Sequence, residues 1–253
     1  MGFKTIRLKQ VGSTNQYLRS CLEKGEVPGH GTVVVTKNQT AGKGMEGNTW
    51  HSEPGKNLTL SVFLKPVFLP PEKQFVLNKA MALAVADFVQ SQLPNKNVTI
   101  KWPNDIYIDD KKTAGLLISN SIKGNKLENV IVGIGININQ TKFPGNIPNP
   151  ASLRMFKHEN LDLDYCLGQL SAFVQSRYEE ICTERFLDIE KEYVSKLYRL
   201  GEIHNFIKEG EIFKAEVTGV TKFGQLQLKT TTGENFLFGF KEVEYVIGDT
   251  VIK

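Results

Sequence analysis

Four apolar runs between residues 97 and 138 constrain the fold more than any other feature of the chain. "NVTIKW", "IYI", "TAGLLISNSI" and "ENVIVGIGINI" follow one another through "PND", "DDKK" and "KGNK", joins too short to hold a helix. Strands joined so tightly run antiparallel, because a parallel return needs a crossover of a dozen residues or more. The centre of the molecule is therefore predicted to be an antiparallel meander, with helical patterns before and after it.

"STNQYLRSCLEKG" reads as a first helix: Ser13 and Gln16 make a capping box, Tyr17, Leu18, Cys21 and Leu22 a stripe, and Gly25 ends it. "GTVVVTKNQ" and "LTLSVFLKP" are β-branched and apolar strands, the second closed by Pro66. Residues 75–93 read as a long, largely buried helix, 140–153 as irregular loop, and 162–183 and 185–198 as two more helices. No element is assigned to the polar start "MGFKTIRLKQ", and no signal peptide is expected there. Beyond a boundary at 200–206 the pattern changes to "IFKAEVTGVT", "QLQLKTT", "NFLFGF" and "EVEYVI", short alternating strands with glycine turns. These predict a small β-barrel. The chain is thus expected to be α+β, with a domain over 1–202 and a second over 203–253.

Composition excludes little. Lysine and arginine number 31 against 27 acidic residues, a mild excess that fits a pocket for phosphates without indicating nucleic acid. No apolar run is long enough to span a bilayer. Cys21, Cys166 and Cys182 are odd in number and lack C-x-x-C spacing, so they read as free thiols of a reducing cytoplasm. His30, His51, His158 and His204 show no metal-ligand spacing.

Four segments carry candidate chemistry. Ser13-Thr14-Asn15 opens a helix, and a cap leaves hydroxyls and backbone N–H groups facing a polar ligand. In "NQTAGKGMEGNTW", Gly42, Gly44 and Gly47 surround Lys43, and Trp50 follows. Such glycines let a backbone approach an anion closely, and the tryptophan needs something flat to cover or a core to enter. In "KWPND", Pro103 makes a rigid corner, and Lys112 soon enters an apolar strand. By period-two alternation Lys112 shares a face with Ala114, Leu116 and Ile118, where an ammonium would need an anion. "VGIGININ" places Gly133 and Gly135 inside a strand with no helix after it, which argues against a dinucleotide fingerprint and for a ligand lying against backbone.

Taken in order, "STN", "QTAGKGxxGNxW", "NLTLS", "KWPND", "KKTAGLLI" and "GIGININ" resemble the biotin protein ligases, also called biotin–[acetyl-CoA-carboxylase] ligases, over residues 11–139. The resemblance implies a mixed sheet flanked by helices, related to class II aminoacyl-tRNA synthetases, with an SH3-like C-terminal domain. It implies two steps: biotin and ATP form biotinyl-5′-AMP and pyrophosphate, and a lysine of a biotin carboxyl carrier protein then displaces AMP. Lys112 would be catalytic, its ammonium neutralising carboxylate and α-phosphate together. Ser13, Thr14, Asn15, Gln39, Gly42, Lys43, Gly115, Gly133 and Gly135 would hold biotin and its carboxyl end. Lys43, Gly44, Trp50, Asn104, Asp105, Lys112 and Asn137 would hold ATP and the adenylate, Trp50 covering the adenine and Asn137 hydrogen-bonding it. Mg2+ would accompany the nucleotide on ligands the sequence leaves open.

Relatives with an arginine-rich "GRGRRGR" loop differ from "GKGMEGN" here, where Met45, Glu46 and Asn48 bring no positive charge; a looser hold on the adenylate is expected. Ser119 stands where some relatives have glutamate, and Val246 near where some have arginine. "STN" begins at residue 13, which leaves no room before it for a helix-turn-helix, so operator DNA binding is not expected. Exposed strand edges would let two copies pair as a homodimer, a state the sequence leaves open. Lipoate or octanoate ligases and transferases of the same fold, and a biotin sensor without catalysis, are the alternatives.

Overall fold

The computed structural model describes residues 3–145, 147–247 and 250–252, with the side chains of Glu46 and 250–252 outside that description. Seven strands form the main sheet: β1 (Lys4–Val11), β2 (Thr32–Gln39), β3 (Leu58–Leu64), β4 (Val98–Lys101), β5 (Asp105–Ile108), β6 (Lys111–Lys123) and β7 (Lys126–Ile136). Their order is β1-β2-β3-β7-β6-β5-β4. The β4–β7 meander is antiparallel throughout, and its β6–β7 turn uses Gly124 at φ +59°, a conformation that costs glycine nothing.

The sheet is mixed because β1 pairs parallel to β2, an element the sequence reading left out. In "KTIRLKQV" only Ile6 and Leu8 turn inward, onto a small cluster of Leu18, Val34, Phe63 and Ile131, while charged residues alternate with them at the sheet's edge. A lysine-rich edge strand blocks further pairing, and it also masks the strand's pattern.

Helix α1 (Thr14–Glu23) covers that cluster on one face. On the other face lies α2 (Gln74–Gln92), which is buried almost all round because α3 (Leu153–Lys157), α4 (Leu163–Cys182) and α5 (Phe186–Ser195) follow it in the chain and the latter two pack outside it. The short α3 begins at residue 153, where the expected loop ends, and was not assigned from sequence. Even the one lysine of the α2 core, Lys79, is 1% exposed and meets Glu190 of α5 at 2.5 Å, as a buried ammonium must.

The alternation argument for Lys112 fails at a bulge. The β5–β6 register shifts between Ile106 and Tyr107, which face Ala114 and Lys112, so Thr113 is the extra residue. Lys112 therefore leaves the face of Ala114 and Leu116 and joins that of Gly115, where an added Cβ would lie 3.4 Å from Lys112 Cε.

A second sheet contains β8 (Ile203–Lys208), β9 (Glu211–Val220), β10 (Leu226–Thr230), β11 (Asn235–Phe238), β12 (Glu244–Ile247) and β13 (Thr250–Ile252), in the order β11-β10-β9-β8-β12-β13. All its pairs are antiparallel around Phe206, Val217, Leu228 and Tyr245, an SH3-like arrangement. β8 and β13 were not assigned from sequence; Gly248, Asp249 and Lys253 of the 203–253 unit lie outside the described residues. This sheet docks on the "KWPND" corner: Trp102 Nε1 donates to the Gly224 carbonyl at 2.9 Å, and the Phe240 ring lies 5.3 Å from the Trp102 ring.

Candidate active site

A cleft opens on the glycine-bearing face of β6 and β7, between the start of α1, the loop before β3 and the second sheet. Its first wall is polar and buried. Ser13 Oγ accepts from the Gln16 backbone N–H at 3.4 Å, the expected cap. Thr14 donates to Gln39 Oε1 from both its N–H, at 3.0 Å, and its hydroxyl, at 3.3 Å. Asn15 Nδ2 donates to the Leu117 carbonyl at 3.1 Å. Ser61 Oγ lies 2.6 Å from Thr14 Oγ1 and 2.5 Å from Asn15 Oδ1, so its single proton serves one of the two. Ser61 was missed as a site residue, although hydroxyls at Thr59 and Ser61 in the otherwise apolar "LTLSVFL" are the kind of local inconsistency that marks a site. Asn15 fits only because β7 has no side chain opposite it: a Cβ on Gly133 would lie 2.5 Å from its amide oxygen.

The loop before β3 makes the second wall. Gly44 N–H donates to the Asn48 carbonyl at 2.7 Å across a 3-10 turn at Met45–Gly47, and Trp50 N–H donates to the Gly42 carbonyl at 3.0 Å. The Trp50 indole lies flat against β7, where a Cβ on Gly135 would stand 2.3 Å from it, and also covers Gly115. Its Nε1 is buried with no partner, so the ring gains contact area there without its polar atom being satisfied.

The third wall is the corner. Tyr193 Oη of α5 donates to the Pro103 carbonyl at 2.8 Å, and the Leu116 N–H donates to the Asn104 carbonyl at 3.1 Å, while Asn104 Nδ2 donates back to the Leu116 carbonyl. The corner is thereby fixed to both a helix and β6. Asn104 Nδ2 also reaches Met45 Sδ at 3.2 Å, where a soft sulfur stands in the loop. Next to it, Lys112 Nζ and Asp105 Oδ2 form an ion pair at 2.7 Å.

Most residues singled out from sequence thus come together. Ser13, Thr14, Asn15, Gln39, Lys43, Gly44, Trp50, Asn104, Asp105, Lys112, Gly115, Gly133 and Gly135 all line the cleft. Gly42 stands just behind it, against Gln39 and Trp50. Asn137 does not line it: the side chain is buried, Nδ2 donates to the Ala151 carbonyl at 3.1 Å, and Oδ1 has no partner. Sequence reasoning also missed the contribution of the second sheet, which lends Phe240, Lys241, Val243 and Tyr245 to the wall. Val246 lies beside them, its backbone carbonyl accepting from Arg199 at 2.7 Å.

The cleft is electropositive. Lys43, Lys101, Lys112 and Lys241 line it against a single carboxylate, Asp105, among the described residues. Burial pushes the Lys101 ammonium down to about 8, opposed by Asp105 and reinforced by Lys112. This field suits a polyanion. It does not suit a resident metal. No group of three His, Cys, Asp or Glu side chains is placed to hold one among the described residues, and Asp105 is committed to Lys112. Magnesium would come with a nucleotide, on its phosphates.

Comparison with known proteins gives the same direction. The model of the biotin/lipoate A/B protein ligase family matches residues 8–137. The chain is 32% identical over 236 residues to the bifunctional ligase/repressor BirA of Bacillus spizizenii, covering 92% of this chain and 71% of that one. With the protein of the same name from Bacillus subtilis it is 32% identical over 206 residues, 80% of this chain but only 63% of the relative. Biotin protein ligase from Aquifex aeolicus, solved with biotin and ATP, superposes with a TM-score of 0.79 at 26% identity, over 96% of this chain and 99% of that one. A polar corner, a tryptophan-covered glycine face and a lysine set against a rigid Pro-Asn-Asp turn all lie within a matched segment that is more than half the chain, and the protein belongs to the biotin/lipoate A/B protein ligase family.

Proposed function

We propose that this chain is a biotin protein ligase. It joins biotin to ATP, forming biotinyl-5′-AMP and pyrophosphate, and then passes the biotinyl group to a lysine of a biotin carboxyl carrier protein. The observation that carries this reading is the place of Lys112: its ammonium lies on the glycine face, between the buried polar corner and the loop of Trp50, paired with Asp105 at 2.7 Å.

In the first step a biotin carboxylate oxygen attacks the α-phosphorus, and the bond to the β-phosphate bridging oxygen breaks. Two anions must meet in a partly dry cleft, where their repulsion is far stronger than in water. Lys112, a compact charge on a flexible stem, exchanges Asp105 for oxygens of both and stabilises charge building at phosphorus. Ser13, Thr14 and Gln39 hold the ureido ring through the network already described. Gly133 makes room for Asn15 and Gly115 lets Asp105, Lys112 and Trp50 come close to β6, while Lys43 with its flanking glycines closes over the acyl phosphate. Trp50 covers the adenine side with Asn104, and Gly135 makes room for that ring. Asn137, turned toward Ala151, supports the floor of this side through the 149–152 loop. In the second step the carrier lysine amine attacks the acyl carbon and AMP leaves with the electron pair.

Met45 and Asn48 add no cation to the loop, so the adenylate is held less tightly than in arginine-rich relatives; a side-by-side release assay should find it leaving faster here. No described helix is long and apolar enough to cross a membrane, and the free thiols Cys21, Cys166 and Cys182 fit a cytoplasmic enzyme.

Pyrophosphate release from ATP and magnesium, with biotin, lipoate, octanoate or no acid added, tests the proposal. Release with biotin alone is expected. Release with lipoate or octanoate would move the chain to the sister activity, and biotin binding without release would make it a sensor.

A further inference from the structure

Lys101 ends β4 and pairs in register with Asp105 across the β4–β5 corner. It lines the cleft at 3% exposure, its ammonium 4.6 Å from the centroid of the Tyr245 ring, which β12 brings from the second sheet. Lys112 approaches the same carboxylate from β6 and is 29% exposed. Asp105 thus touches one ammonium, Lys112, and attracts from the neighbouring strand a second, Lys101, that has less freedom. The inequality matters because Lys112 has to leave Asp105 in order to reach substrate oxygens. The Asp105 side chain is 18% exposed, and a bare carboxylate left there would be costly and would draw Lys112 back. Lys101 is held against an aromatic face and cannot follow the substrate.

We propose that Lys101 is a positioning residue: held by Tyr245 of the second sheet, it keeps the Asp105 carboxylate on β5 when Lys112 moves to the reacting oxygens. This rests on the adenylation reading above. It also gives the second sheet a task in the reaction, since the Lys101 ammonium rests against the Tyr245 ring.

Among the described residues, Asp105 from β5, Lys112 from β6 and Tyr245 from β12 are among the groups that face Lys101, with Lys43 and Lys241 elsewhere in the cleft. Burial lowers its ammonium to about 8, so it is charged below that pH and loses its charge as pH rises through it. An arginine in its place would stay charged. The test is kcat/KM for biotin-dependent pyrophosphate release from about pH 6 to about pH 10, which reports the free protein. The unaltered protein should lose rate above about pH 8, and Lys101→Arg should keep its rate to higher pH. At neutral pH Lys101→Met should lower kcat about tenfold with the KM for biotin nearly unchanged. In an Asp105→Asn background the same change should cost nothing further, because there is no carboxylate left to retain. The proposal is overturned if Lys101→Met matches the unaltered protein, if Lys101→Arg keeps the alkaline loss, or if the Lys101 and Asp105 substitutions add independently. Should Lys101→Met fail to fold, the Lys101→Arg profile decides alone. An unaltered protein that releases no pyrophosphate with biotin would instead overturn adenylation itself, and this inference with it.

Discussion

Strands β6 and β7 show two faces built by one pair of strands. On the face toward α2, Ala114, Leu116, Val132, Ile134 and Ile136 are buried at 4% exposure or less and fill the core. On the opposite face the alternating positions include Gly115, Gly133 and Gly135, and the space they leave is taken by side chains such as Trp50 and Asn15. Burial of branched side chains stabilises the first face. The second gives up that stabilisation, and the unpartnered Trp50 Nε1 adds a further cost. The difference separates what holds the sheet together from what the sheet presents, and it predicts that substitutions one residue apart will have opposite consequences.

The largest effect should come from the cleft face. Lys112→Ala removes a group that pairs with Asp105, lies 5.9 Å from the centre of the Trp50 ring and is partly open to solvent. It should leave the melting temperature almost unchanged and slow adenylate formation roughly 10²–10³-fold, the scale of losing one preorganised charge contact; loss of cooperative unfolding instead would make Lys112 structural. Next, Gly135→Val and Ile136→Ala set the two faces against each other at adjacent positions. The valine would drive its Cβ into the Trp50 indole, where even an alanine Cβ stands at 2.3 Å. Activity should fall about a hundredfold, as displaced binding groups do, with nearly native denaturant unfolding. Ile136→Ala should destabilise by about 2–5 kcal/mol while the folded fraction keeps its activity. If Gly135→Val unfolds the protein and Ile136→Ala spoils activity at full stability, the distinction between faces fails. The smallest effect concerns the second sheet: Trp102→Phe deletes the 2.9 Å bond to the Gly224 carbonyl. It should cost about 1 kcal/mol, seen as faster amide exchange in residues 203–247 with the main sheet unaffected.

The meander, the capped first helix, the long buried α2 and the change of pattern near residue 203 were all legible, because each rests on local periodicity, turn length or capping chemistry. The segments that converge on the cleft were legible as segments, since polar and glycine-rich stretches break an otherwise apolar pattern. What was hidden depends on non-local geometry. The bulge at Thr113 moves Lys112 to the other face, and no alternation count contains a register shift. β1 looks polar because only every second residue meets the core, at an edge. Asn137 follows the glycine strand but turns to the Ala151 carbonyl because the 149–152 loop docks beside it. The wall of Phe240, Lys241, Val243 and Tyr245 depends on how two sheets pack, more than a hundred residues apart in sequence.

The most direct measurement is native mass spectrometry of the protein after incubation with ATP, magnesium and biotin, alone and as Lys112→Ala. The account predicts one biotinyl-5′-AMP retained per unaltered chain and none on the variant, with both still binding biotin. Equal adenylate on both proteins would contradict the role given to Lys112 and to the face on which the bulge places it.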